Sequence, residues 1–155
     1  MVPTATKFRT ASGTTTVIRG LEPSDADAVA DLARHLSRRA PPVPALAGPD
    51  GPGNATLVAC DCETGAILGV GRYALTEPGV ADVVFAVAHH CRDEGIHAAL
   101  LHELAEHARA NGVRQLTAHV LVENDRTFDA FWHSGYPMTC RNDGGVTFVT
   151  LAIGA

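Results

Sequence analysis

The chain is 155 residues long, 46% apolar and 19% charged, with a formal net charge of −5 at neutral pH. That is one domain's length with an ordinary globular balance, so a core can form without disulfides or metals, and a mainly disordered chain, collagen and a disulfide scaffold are excluded. The acidic balance argues against a broad nucleic-acid footprint, and no apolar run reaches the ~18–20 residues of a membrane-spanning helix.

Residues 1–15 are rich in Thr, Ser, Ala and Gly without periodicity, and are expected to be a flexible tail ahead of a single domain over 16–155. Lys7 and Arg9 have no apolar stretch behind them, so no secretory signal is read. Cys60, Cys62, Cys91 and Cys140 are then expected as reduced thiols of a cytoplasmic protein. Residues 16–20 form a short strand candidate. Glu22-Pro23-Ser24 opens a helix with Ser24 as its cap and Asp25 and Asp27 in its first turn. Val29, Leu32, Ala33 and Leu36 share one face of it, and Pro41 ends it. Residues 41–54 are Pro- and Gly-rich, a loop that either shapes a site or makes a surface excursion.

Residues 55–62 and 67–75 read as a hairpin across Glu63-Thr64-Gly65-Ala66. Residues 81–88 are a nearly continuous apolar strand, expected to be central and covered on both faces. A polar stretch over 89–95 leads into a strong helix whose stripe is Ile96, Leu100, Leu101, Leu104, Ala105 and Ala108, stopped at Gly112. Residues 115–122 alternate as a strand, 126–134 form a short helix closed by Gly135, and 138–141 with 146–153 form a last hairpin. The expectation is therefore a mixed α/β (α+β) fold: one sheet of about six or seven strands flanked by about three or four helices.

The informative segment is the strand, loop and helix over 81–110. A buried strand delivers the chain through Gly95 to a helix N-terminus, whose first amides lack internal partners and carry partial positive charge. Such a place suits phosphate; Arg92 adds a full charge, and Gly95 lets backbone approach closely. Metal sites are read as absent. In Cys60-Asp61-Cys62 an extended strand holds the thiols about 6.5–7 Å apart, and His89-His90-Cys91 lacks the paired spacing of zinc ligands.

Residues 81–136 resemble the acetyl-CoA-binding core of the GNAT superfamily of N-acetyltransferases. The family's pyrophosphate loop, Gln/Arg-x-x-Gly-x-Gly/Ala, sits between a strand and a long helix; here it reads Arg92-Asp93-Glu94-Gly95-Ile96-His97. The later glycine, strand, Asn and Gly-aromatic pair of the family match Gly112, 115–122, Asn124 and Gly135-Tyr136. With the opening strand and helix, the likeness covers residues 16–153. Within the superfamily the chain is most similar to bacterial protein-lysine acetyltransferase domains, through Ala81-Asp82-Val83 and Asp143-Gly144-Gly145-Val146-Thr147.

The resemblance implies acetyl transfer from acetyl-CoA, the acyl donor, to a primary amine on a small molecule or protein lysine. It implies backbone contacts to the cofactor from Phe85, Ala86 and Val87, from the loop and helix start at Arg92, Asp93, Glu94, Gly95, Ile96, His97 and Ala98, and from Asn124. Asp82 takes the place of the glutamate base. A homodimer is left open; nucleic acid and membrane are not expected as partners. The departures are local. His97 replaces a small residue and would stand over the pyrophosphate region, Asp93 and Glu94 put carboxylates in the loop, and Phe131 replaces a tyrosine acid. Asp82 is one methylene shorter than glutamate. A rival reading keeps the fold and drops the chemistry, leaving a ligand-sensing or protein-interaction module.

Overall fold

Apolar and β-branched runs punctuated by turn residues become strands here. The computed structural model describes residues 6–10, 13–25, 27–29, 54–87, 95–121, 125–144 and 146–154. Its strands are β1 (Thr6–Arg9), β2 (Thr15–Gly20), β3 (Asn54–Asp61), β4 (Ile67–Glu77), β5 (Val80–Val87), β6 (Gln115–Leu121), β7 (Met138–Asp143) and β8 (Val146–Ala152). The helices are α1 (Ile96–Ala110) and α2 (Asp125–Trp132). The described residues form one eight-stranded sheet in the order β1-β2-β3-β4-β5-β6-β8-β7. Among them β5 and β6 make the one parallel pair, and α1 is its crossover. No helix among the described residues is long and apolar enough to cross a membrane.

The mixed fold agrees with the sequence expectation, with one strand more. The addition is β1, inside the stretch expected to be a tail. It pairs antiparallel with β2 from Thr6↔Ile18 to Arg9↔Thr15. Four residues are too few for alternation to show, and Phe8 is the apolar residue that leans on the core.

The turn after β2 also differs from expectation. Ser24 lies within a 3-10 turn, Pro23–Asp25, and residues 27–29 are helical; the rest of the expected helix and the loop over 41–53 lie outside the described residues. Asp25 does more than face a helix dipole. Arg19 Nη1 donates to its Oδ2 at 2.7 Å and Nη2 to its Oδ1 at 3.0 Å, and the Glu22 N–H donates to Oδ2 at 2.8 Å. This two-pronged, charge-assisted contact fastens the turn to the strand before it. The Arg19 hydrogen bond, against opposing desolvation, holds the Asp25 carboxyl below its ordinary range.

Helix α1 lies on one face of β3, β4 and β5. Its stripe of Ile96, Leu100, Leu101, Leu104, Ala105 and Ala108 is buried, as the periodicity requires. Two glycines of β4 let it come close. A Cβ at Gly69 would meet Ile96 Cγ2 at 2.9 Å, and one at Gly71 would meet Leu104 Cδ1 at 2.9 Å and Phe85 Cδ1 at 3.0 Å. On the same strand Tyr73 is fully buried, and its hydroxyl hydrogen-bonds His107 Nδ1 of α1 at 2.7 Å. A buried hydroxyl left unpaired would cost about 1–3 kcal/mol.

Two stability predictions follow from these contacts. Gly71→Ala forces a methyl between two buried side chains, and is expected to lower unfolding free energy by about 1–3 kcal/mol in a urea titration. Asp25 has a folded pKa below its unfolded value of about 3.9, so its contribution is present above that value and is lost as pH falls through the folded one. Asp25→Asn should therefore lower the melting temperature at pH 7 and flatten the decline of stability below pH ~4.

Candidate functional site

The site begins where two strands part. β5 stays paired with β4 as far as Gly69↔Val87, and β6 stays paired with β8 as far as Leu121↔Val146. Between β5 and β6 the register holds for three residue pairs, Val80↔Gln115, Ala81↔Leu116 and Asp82↔Thr117, and ends there. Beyond Asp82 the two halves of the sheet diverge as a fork. The β5 backbone from Val83 to Val87 lines one prong without a β6 ladder among the described residues.

Asp82 and Thr117 are the crotch of that fork. Strand alternation puts both on the sheet face away from α1, since Val83 and its cross-strand neighbour Tyr73 lie on the α1 face. The Thr117 hydroxyl donates to Asp82 Oδ1 at 3.0 Å, and the Ala81 carbonyl oxygen lies 3.4 Å from the same hydroxyl. Asp82 is half-buried. Along its row the register runs through Ala74 to Asn54, whose buried side-chain Oδ1 has no hydrogen-bond partner among the described residues. One row further on, the same face carries Arg72 of β4, which donates to Thr56 Oγ1 at 2.8 Å, and His119 of β6. The His119 ring meets Phe148 edge-on at 4.7 Å, and the Arg141 guanidinium lies 5.1 Å from the centre of that phenyl ring.

On the α1 face, aromatic rings fill the space beneath the fork. Phe85 touches His97 edge-on at 6.1 Å and Phe131 of α2 at 6.0 Å. Phe131 is fully buried. The His97 imidazole, expected over the pyrophosphate loop, lies in this core instead and is 8% exposed. The helix geometry explains it: residues 97, 101, 104 and 108 fall on the buried side of α1, while Ala98 faces out.

The start of α1 is set by Gly95. It adopts φ 83°, a left-handed conformation that L side chains avoid, whereas a Cβ there would meet nothing within 4 Å. The glycine is thus required by the backbone's turn rather than by crowding. The first intrahelical bond runs from the Ala99 N–H to the Gly95 carbonyl, so the peptide N–H groups of residues 96–98 precede it.

The structure brings together Asp82, Phe85, Ala86, Val87, Gly95, Ile96, His97 and Ala98 on one strand and the helix that follows it. Arg92, Asp93, Glu94 and Asn124 lie outside the described residues. Tyr136 is not at the fork: its hydroxyl donates to Glu106 Oε1 of α1 at 3.0 Å. Burial, then that carboxylate, raises its pKa. Among the described residues no group of three or more His, Cys, Asp or Glu is placed to hold a metal. Thr117 was not legible as a site residue. It sits on the polar side of an ordinary alternation, and nothing local in the sequence sets the register of two parallel strands.

A family model, Acetyltransferase (GNAT) family, matches residues 29–136. No curated protein matches the chain. Among solved structures, the GNAT domain of S. lividans PAT superposes with a TM-score of 0.80 at 23% identity, covering 96% of each chain. An acetyltransferase of the GNAT family from Streptococcus pneumoniae gives 0.69 at 20% identity, over 90% of this chain and 99% of its own. The yncA protein of Salmonella typhimurium, solved with its cofactor acetyl-CoA, gives 0.69 at 16%, over 89% and 94%. At these identities the likeness of the structures establishes a shared fold.

Proposed function

From the premise that the chain belongs to the acetyltransferase (GNAT) family, we propose that it moves an acetyl group from acetyl-CoA to a primary amine, on a protein lysine or a small molecule, by direct attack. The observation that supports this reading best is the fork: a carboxylate stands at its crotch, backbone lines one prong, and a helix N-terminus follows that prong.

The residues present suit acetyl-CoA. Its pyrophosphate is a dianion, and the amides at the start of α1 with the positive end of the helix dipole form a matching donor set. In the sequence, Arg92 adds a positive charge three residues before Gly95. The pantetheine arm carries amides, and the β5 edge beyond Asp82 offers peptide groups in place of the missing β6 ladder. The amides near Ala86 and Val87 serve the thioester carbonyl as negative charge develops on its oxygen.

An alkyl ammonium has a pKa near 10.4, so at neutral pH the acceptor arrives protonated. Asp82 is the base. An N–H bond of the acceptor breaks and an O–H bond forms on the carboxylate, directly or through one bridging water, since aspartate reaches less far than glutamate. The freed lone pair then attacks the thioester carbon; the C–N bond forms, the C–S bond breaks, and the excess proton on the attacking nitrogen passes to the sulfur, so that CoA leaves as its thiol. The row of Arg72, Thr56 and Asn54 beside Asp82 faces the acceptor.

Two measurements test this. Acetyl-CoA at 100 times its Kd should stabilise the fold by about 2.7 kcal/mol, read as a rise in melting temperature. No rise at millimolar acetyl-CoA would leave a sensing or docking module. In a thiol-release assay over a panel of lysine peptides and small primary amines, Asp82→Asn should cut turnover by about 10²–10⁴-fold with acetyl-CoA binding nearly unchanged; full turnover would remove Asp82 from its role.

A further inference from the structure

We propose that Thr117 is a positioning residue whose hydroxyl follows the charge on Asp82, holding the carboxylate while it is a base and re-pairing when it has taken a proton. This rests on Asp82 being the base of the reaction described above.

The geometry is specific. A threonine hydroxyl has one proton to give and two lone pairs to offer. Two acceptors lie within its reach, Asp82 Oδ1 at 3.0 Å and the Ala81 carbonyl at 3.4 Å. While Asp82 is ionised, the closer and charge-assisted bond to Oδ1 wins, and it favours the anion. When the acceptor's N–H bond breaks and the new O–H bond forms on Asp82, that carboxyl becomes a donor. Rotation about the Thr117 Cβ–Oγ1 bond then turns the hydroxyl proton to the Ala81 carbonyl and presents a lone pair to the Asp82 O–H. In each protonation state the two side chains stay hydrogen-bonded to one another, with one torsion moved and no backbone motion.

The strand register makes this pairing stable. Asp82 and Thr117 are the last paired residues before β5 and β6 separate, so the two side chains are held side by side at the point where the cleft opens. One residue further along, the strands no longer run together, and a hydroxyl on β6 would lose its partner. Threonine also suits a strand, and its branched Cβ limits the hydroxyl to few rotamers. The charged or titratable groups that share this face beside Asp82, among the described residues, are Arg72 and Glu77 from β4 and His119 from β6; β3 presents Asn54 and Thr56. Among the described residues, none of these takes the place of the Thr117 hydroxyl, which is hydrogen-bonded to Asp82.

The test is a pH titration read in two ways. In a Glu77→Gln, His119→Gln background, so that neither side chain enters the profile, the Asp82 carboxyl carbon is followed by 13C NMR in the free protein. Thr117→Val removes the donor but keeps the branched shape. The Asp82 carboxyl signal is expected to titrate at higher pH in the valine variant than in the parent, because the anion has lost a hydrogen bond. The acid limb of kcat/KM should move up with it, while the acetyl-CoA Kd stays put. Thr117→Ser, which restores the hydroxyl, should return both to their starting positions. If the valine variant is poorly folded, Thr117→Ala measured against Thr117→Ser gives the same comparison. Coincident titrations with and without the hydroxyl, in a protein whose Asp82→Asn variant is inactive, would overturn the role of Thr117 and leave the base in place. An Asp82→Asn variant with full turnover would overturn both.

Discussion

The parting of β5 and β6 is the constraint on which the rest of this molecule turns. Each of the two strands is committed along its length to an antiparallel partner, β4 on one side and β8 on the other. The parallel ladder between them is the weaker kind and is short, so it yields when the two halves of the sheet twist away from one another. A continuous sheet would offer no entry to its middle. The break turns the centre of the protein into an opening bordered by backbone, with one carboxylate and one hydroxyl at its closed end.

An opening in a sheet needs a floor, and the helix side supplies one. Gly69 and Gly71 let α1 settle directly on β4, which fixes the height of its first turn against the end of β5. Phe85, His97 and Phe131 then fill the space between strand and helices. The imidazole at residue 97 belongs to this packing. The same helical spacing that buries Leu101 and Leu104 buries it too. The two faces of the fork thereby differ in kind: Phe85, His97 and Phe131 pack on one, and Asn54, Arg72, Thr117 and His119 lie on the other.

Much of this was visible in the residues because local pattern and long-range packing agree. The stripe of α1 lies where periodicity puts it, and the last hairpin forms where turn residues were read, although Asn142 and Asp143, expected in its turn, pair within β7. The family likeness, carried by residues around Gly95 and Gly135, agrees with the family model. What stayed hidden depends on partners distant in sequence. β1 is four residues that become a strand only beside β2. Asp25 looks like a helix-start acid and is an ion-pair partner of Arg19. Gly69 and Gly71 resemble weak points in a strand until the helix above them is known. Thr117 matters because a crossover of some thirty residues brings it level with Asp82, and no local rule sets that register.

Among the described residues the sheet has two free borders, and both are defended. At one, β1 carries exposed Lys7 and Arg9; at the other, β7 carries exposed Arg141 between short polar neighbours. A stray strand seeking to extend the sheet would have to strip water from a cation at either rim, and would gain few apolar contacts in return. A molecule that must keep a gap in its own middle is thus guarded against having its outer ladders zipped to a neighbour's, and the hazard of stacking into fibrils is met at the margins rather than in the core.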